Sequence, residues 1–201
     1  VRTIKKGQIE DYFTARLSDV RAFSTNPVVI EGLSAFKKVA GKIGGLEWQA
    51  VERTYGPWMT RFIEEYGYID LFLISDKGQV LYTVEKASDL GQNLKTGKLK
   101  DSPAGKAFNG GLTTPTVQDF GVYEPSGDAP AAFIASPVKV GGKTTGVAMI
   151  QIPIPPIQLP STYDTIGLYF DVVSEAASAG NVIAWIGEAG ESWDAHVYAA
   201  I

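Results

Sequence analysis

From Ile9 onward, apolar side chains recur at intervals of three and four: Ile9, Tyr12, Phe13, Leu17, Val20 and Phe23. Glu10, Asp11, Arg16, Asp19 and Arg21 fill the opposite side. That spacing predicts an amphipathic helix. Asn26-Pro27 interrupts it, because the residue before a proline is driven out of the α region. A second helical segment runs through Val28, Val29, Leu33, Phe36 and Val39 and stops at Gly41, Gly44 and Gly45. A third spans Leu46 to Tyr66, with Gly56-Pro57 inside it and Trp58, Met59, Phe62 and Ile63 on its apolar side. Two uses fit such a region, a plain layer over a sheet or a long helix that also pairs with a second copy of the chain.

The period changes after Tyr66. Tyr68 to Ile74 is a run of high β propensity, too continuous for a one-sided edge strand. Asp76-Lys77-Gly78 reads as a hairpin turn and Gln79 to Val84 as the returning strand. The polar stretch Glu85 to Asp101 is too long for a turn and is expected to wrap over one face of the sheet. Ser102 is placed to cap a short helix with Pro103 at its first position, stopped by Gly110-Gly111. Three more strands follow, Thr116 to Tyr123, Ala131 to Val140 and Thr144 to Ile152, the last two joined by Gly141-Gly142-Lys143. Hairpin-length connections predict an α+β fold, a mainly antiparallel five-stranded sheet with the helices on one side.

Beyond residue 152, Pro153, Pro155, Pro156 and Pro160 remove so many N–H donors that a central strand cannot continue. Thr165 to Ala179 has helix-like spacing through Ile166, Tyr169, Phe170, Val173 and Ala177. Asn181 to Gly187 reads as a strand, and Ser192 to Ile201 as a further strand or a frayed end. The expected organisation is a helical region over 1–65, a sheet module over 66–152, and a proline-rich break with a C-terminal helix and strand over 153–201. The last part fits either the start of a second sheet or an extra helix and hairpin on the first.

Composition narrows the function. Of 201 residues, 45% are hydrophobic and 20% charged, enough to bury a core. A net charge of -4 makes nucleic acid an unsuitable partner. With no cysteine and a single histidine, His196, thiolate metal sites, thiol catalysis and multi-histidine metal sites drop out, and no metal or cofactor is expected. No apolar run is long enough to span a membrane. Val1 to Lys6 lack a signal-peptide pattern, so the chain is expected to be mature or excised from something longer. Gly110-Gly111 and Gly141-Gly142 lack the lysine and helix of a phosphate loop. Asp76-Lys77-Gly78 lacks the further oxygen ligands of a calcium loop. Lys95, Lys98 and Lys100 read as a solvated loop more readily than as an anion site.

Several strings in this order resemble the extracytoplasmic Cache (PAS-like) sensor modules of bacterial chemoreceptors, the methyl-accepting chemotaxis proteins, and related membrane receptors. They are Tyr66-Gly67-Tyr68-Ile69-Asp70-Leu71-Phe72-Leu73-Ile74, Gly78-Gln79-Val80-Leu81-Tyr82-Thr83-Val84, Asp89-Leu90-Gly91-Gln92-Asn93-Leu94 and Tyr123-Glu124-Pro125-Ser126. Pro130-Ala131-Ala132-Phe133-Ile134-Ala135-Ser136-Pro137 and Gly146-Val147-Ala148-Met149-Ile150-Gln151-Ile152 complete the set. The resemblance implies a non-enzymatic, periplasmic module of an inner-membrane receptor. It would bind a small molecule between the sheet and its covering loop and pass the signal through helices to the membrane. It also implies a homodimer through the N-terminal helix. Amino-acid-sensing members carry an Arg-x-Trp-Tyr cluster, which Arg53-Thr54-Tyr55-Gly56-Pro57-Trp58 does not reproduce.

Position then nominates ligand-binding residues. Tyr68 and Asp70 are expected to share one face of the first strand, with Tyr82 on the second, Asp119 and Tyr123 flanking the third, and Phe133 on the fourth. A carboxylate beside tyrosines suits an amine or hydroxyl group. Asp119 is the leading candidate. For Asp70, burial among apolar neighbours demands either backbone donors or a ligand. Two alternatives stand beside the chemoreceptor reading: the sensor of a histidine kinase or nucleotide cyclase, and a secreted hydrolase acting through Asp70 and Asp119.

Overall fold

A computed structural model describes residues 2–153 together with 166–171, 181–186 and 196–200. Helix α1 (Arg2–Thr25) ends where expected, and Asn26 caps α2 (Pro27–Lys38) by accepting the Val28 N–H at 2.9 Å. A 3-10 turn (Ala40–Lys42) leads to α3 (Leu46–Tyr66), which keeps Pro57 inside it and closes on Gly67 in the left-handed region. Strands β1 (Asp70–Ser75) and β2 (Val80–Thr83) form the first hairpin. Then come α4 (Pro103–Gly111), β3 (Thr116–Val122), β4 (Pro130–Val140) and β5 (Lys143–Ile152). The five strands pair antiparallel in the order β2-β1-β5-β4-β3.

Two apolar clusters hold this sheet, one on each face. On the first face, Val20 and Phe23 of α1, Leu33 and Phe36 of α2, and Trp48 and Met59 of α3 pack on Leu71, Leu73, Ile134, Ala148 and Ile150. On the second, Phe72, Ile74, Phe133 and Met149 meet Ala104, Ala107 and Phe108 of α4 and Leu94 and Leu99 of the long covering segment. The expectation of helices on one side is therefore corrected, because α4 covers the second face. It can do so because it is small where it touches the sheet. A Cβ on Gly111 would come within 2.6 Å of the Ala135 Cβ, so alanine and glycine let helix and sheet backbones approach.

The C-terminal strands β6 (Ile166–Asp171), β7 (Asn181–Ile186) and β8 (His196–Ala200) form a separate antiparallel sheet, β6-β7-β8. Residues 166–171 are thus a strand and not the expected helix; the remainder of that expected helix, Thr165 and 172–179, lies outside the described residues. Ile166, Leu168 and Phe170 alternate with Gly167, Tyr169 and Asp171, and β-branched and aromatic side chains favour the period of two over the helical spacing that the same letters also satisfy. No helix among the described residues is long and apolar enough to cross a membrane.

Candidate functional site

The register of the sheet builds the site. Asp70 pairs with Gln151, Gln151 with Phe133, and Phe133 with Gln118. Directly opposed residues project to the same face, so Asp70, Gln151, Phe133 and Gln118 form one row across β1, β5, β4 and β3. The row lies on the α4 face, because Asp70 alternates with Leu71 to join Phe72 and Ile74.

The segment after β2 closes over this row. Lys86 adopts the left-handed region (φ 52°), steadied by its N–H on the Thr83 hydroxyl at 2.7 Å. Further on, the backbone returns to the edge of β2: Val80 N–H donates to the Gln92 carbonyl at 2.9 Å and Gly91 N–H to the Val80 carbonyl at 3.0 Å. This path carries Asp89 inward, to 1% exposure. Its Oδ2 accepts the Tyr123 hydroxyl at 2.8 Å, while its buried Oδ1 has no hydrogen-bond donor. Tyr123 is itself buried and meets the Phe133 ring edge-on at 4.9 Å. Gln151 donates to the Ser126 hydroxyl at 3.2 Å.

Asp70 is 2% exposed and ties the covering segment to the sheet. Its Oδ1 accepts the N–H groups of Leu71 at 2.7 Å, Val84 at 2.9 Å and Glu85 at 3.1 Å. Burial nonetheless outweighs these donors and pushes its carboxyl up to about 7, with the charge of Asp89 adding to the effect. Burial also raises Asp89, against the Tyr123 hydrogen bond and the nearby N–H groups of Asp89 and Leu90. Tyr123 is raised as well, by burial and then by the negative charge of Asp89.

Of the six expected residues, Asp70, Tyr123 and Phe133 come together here. Tyr68 and Tyr82 belong to the helix-covered face. Tyr68 donates to Asp19 of α1 at 2.5 Å, so the expectation that it shares a face with Asp70 is corrected: β1 begins only at Asp70, and the two-residue period does not extend back to Tyr68. Arg16 bridges to Asp19 at 3.1 Å and lies over both the Tyr12 and Tyr68 rings. Tyr82 stacks on Phe36 at 4.9 Å, has its hydroxyl pushed up to about 12 by burial, and lines an open groove of about 570 Å³ along α3. Asp119 sits at a bulge in β3, half-buried, accepting the Phe120 N–H at 2.7 Å, with burial pushing it up to about 6. Neighbouring strands lie about 4.8 Å apart. Asp70 and the residue next to Asp119 are three strands apart in one row, about 14 Å, beyond the spacing of two carboxylates acting on one bond.

Asp89, Gln151 and Gln118 were not among the expected residues. Gln151 carries a signal, a polar residue inside an apolar strand. Asp89 carries none, since its burial depends on the whole path of the covering segment.

No protein-family model and no curated protein matches the chain. Solved structures do match. The sensor domain of the V. cholerae histidine kinase DctB superposes with a TM-score of 0.53 at 15% identity, over 75% of this chain and 54% of that one. The ligand-binding domain of the Campylobacter jejuni chemoreceptor Tlp3, solved with 4-methylisoleucine, gives a TM-score of 0.50 at 15% identity, over 75% and 55%. The chain shares the fold of those two domains. This chain spans about half the length of those domains. Within this fold, the polar row lies between the sheet and the segment that covers it.

Proposed function

We propose that this chain is the extracytoplasmic small-molecule sensing domain of a bacterial transmembrane chemoreceptor. A ligand binds between the α4 face of the sheet and the covering segment, at Asp70, Asp89, Tyr123 and Phe133, with Asp119 at the margin. The observation that carries the reading is the buried Asp89 carboxylate, whose Oδ1 has no hydrogen-bond partner, in a fold shared with sensor and ligand-binding domains. Buried carboxylates left partly unsatisfied cost stability, and they are retained where something else completes them. Tyr68 serves as a relay. Two residues before Asp70, it grips Asp19 on α1, the helix that would carry the signal to the membrane and pair with its copy in a homodimer. A ligand acts as a signal only insofar as it favours one arrangement of that helix. A histidine kinase or nucleotide cyclase would use the same sensor. The units of this reading are 1–65, 66–152 and 153–201.

A thermal-shift panel of amines, amino acids, carboxylates, sugars and purines tests it. At a hundredfold excess over Kd, a ligand adds about 2.7 kcal/mol, roughly 5–11 °C for a chain of this size. A coherent set of hits supports the sensor, and a flat panel overturns it.

A further inference from the structure

We propose that the open groove along α3 is a second binding site, on the opposite face of the sheet from the first. It takes a small hydroxylated anion, a sugar acid or sugar phosphate, gripped by Arg53 and Arg61 over the Tyr82 hydroxyl. This goes beyond the sensing reading above and does not rest on it.

Helix α3 itself opens the groove. Arg53, Gly56, Pro57, Thr60, Arg61 and Glu64 recur at intervals of three and four, so they form one stripe of the helix, and all of them line the groove. Met59 and Ile63 point away from it and hold the helix to the core. Two residues of the stripe remove groups instead of adding them. Gly56 has no side chain, and a Cβ there would come within 3.2 Å of the Tyr82 hydroxyl, so its absence leaves that hydroxyl at the groove floor. Thr60 hydrogen-bonds the same hydroxyl. Pro57 has no N–H, so the Arg53 carbonyl four residues back loses its usual helical donor and is left as an acceptor on the groove wall.

The charges at the rim are free. Neither Arg53 nor Arg61 forms a side-chain ion pair or hydrogen bond with a described residue, although Glu65 stands at ion-pair spacing from Arg61. Glu52, by contrast, is engaged by Lys86 at 2.5 Å. Two unpaired guanidiniums therefore face one unpaired lining carboxylate, that of Glu64, among the described residues. Eight residues separate the arginines, roughly 12 Å along the helix axis, and each planar fork takes two oxygens of a carboxylate or phosphate. Between them, Tyr82 and Thr60 offer hydroxyls, while the Arg53 carbonyl and Glu64 offer acceptors, a set that matches the hydroxyl groups of a polyol. Apart from Pro57 and the Tyr82 ring, the side chains lining the groove are polar, so an apolar ligand finds little to bury against. The volume of about 570 Å³ suits a small molecule.

The test is calorimetric titration of the full chain at pH 7.5 with gluconate, glucuronate and glucose 6-phosphate, and in parallel with glucose, acetate and inorganic phosphate. The expected result is that at least one of the first three binds more tightly than any of the second three. That binding should weaken about tenfold or more in each of Arg53→Gln and Arg61→Gln. Both arginines are exposed, so the substitutions leave the core alone. Arg21→Gln removes the same charge from an exposed position on α1 and should leave binding unchanged. Binding that survives both groove substitutions, or falls as far in Arg21→Gln, overturns the site. Glucose, acetate or inorganic phosphate binding as tightly as the sugar anions overturns the ligand class. No binding by any of these compounds overturns this inference and leaves the sensing reading standing, because that reading concerns the other face of the sheet.

Discussion

Replacing Asp70 with asparagine isolates the cost of a buried charge. Asparagine is nearly isosteric, and its amide oxygen can accept the same three N–H groups from Leu71, Val84 and Glu85. What it loses is titration. The folded carboxyl titrates near 7, against about 3.9 for an unfolded aspartate. Because the folded value is the higher, the folded state prefers the proton. The stability this gives is fully present below about pH 4 and is lost as the pH rises through 7. The gap of about three pH units corresponds to about 4 kcal/mol over pH 4 to 8. The amide of the Asp70→Asn variant contributes no such slope, and Asp119 adds its own to both proteins and cancels in the difference, while the Asp89 charge acts in the same direction as burial at Asp70 and is part of the effect read. The stability of Asp70→Asn relative to the parent should therefore rise by about 4 kcal/mol across that window, or roughly 8–16 °C in relative Tm. Urea unfolding of both proteins at five pH values measures it. A flat difference, or one that falls with pH, would refute the claim that burial dominates at Asp70.

Asp119→Asn should show the same sign with a smaller slope, centred nearer pH 6, because that carboxyl is only half-buried; the same urea series reads it. Ser102→Ala removes the cap that accepts the Gly105 N–H at 3.2 Å and should cost about 1 kcal/mol in equilibrium unfolding. Gly146→Ala would drive a Cβ to 2.4 Å from the Ile74 carbonyl and 2.8 Å from Leu33. A loss of about 3 kcal/mol is expected, visible as a Tm drop of roughly 6–12 °C. Tyr68→Phe deletes the hydroxyl bound to Asp19 and should cost about 1–2 kcal/mol, with faster hydrogen exchange in the second half of α1 than in α2 or β5.

Locally encoded features were legible in the sequence. Leu46 to Tyr66 is bounded by glycines, Ser102-Pro103 starts a helix, and Gly141-Gly142 turns a hairpin, each through the conformational limits of a few adjacent residues. The fold class followed because the change from helical spacing to a continuous β-prone apolar run after Tyr66 coincides with a real boundary. The site was legible only in part. Asp70 stood out as a charge inside an apolar strand, but its neighbours are set by the register of four strands, which no single stretch contains. Asp89 looked like any loop aspartate, and only the pairing of Gly91 and Gln92 with β2 carries it inside. Ile166 to Asp171 satisfies helical and strand spacing equally, and partner strands decided between them.

One contact at the rim of the helical layer has an engineering consequence. The Tyr12 hydroxyl donates to the Pro153 carbonyl at 3.3 Å, so two points 141 residues apart along the chain touch. Everything between them is a closed circuit of polypeptide with neighbouring ends. A unit of that shape can be lifted out and spliced elsewhere without its host having to stretch. Residues 12–153 spliced into a surface loop of an unrelated protein should keep their own fold, read as a separate thermal transition in the fusion.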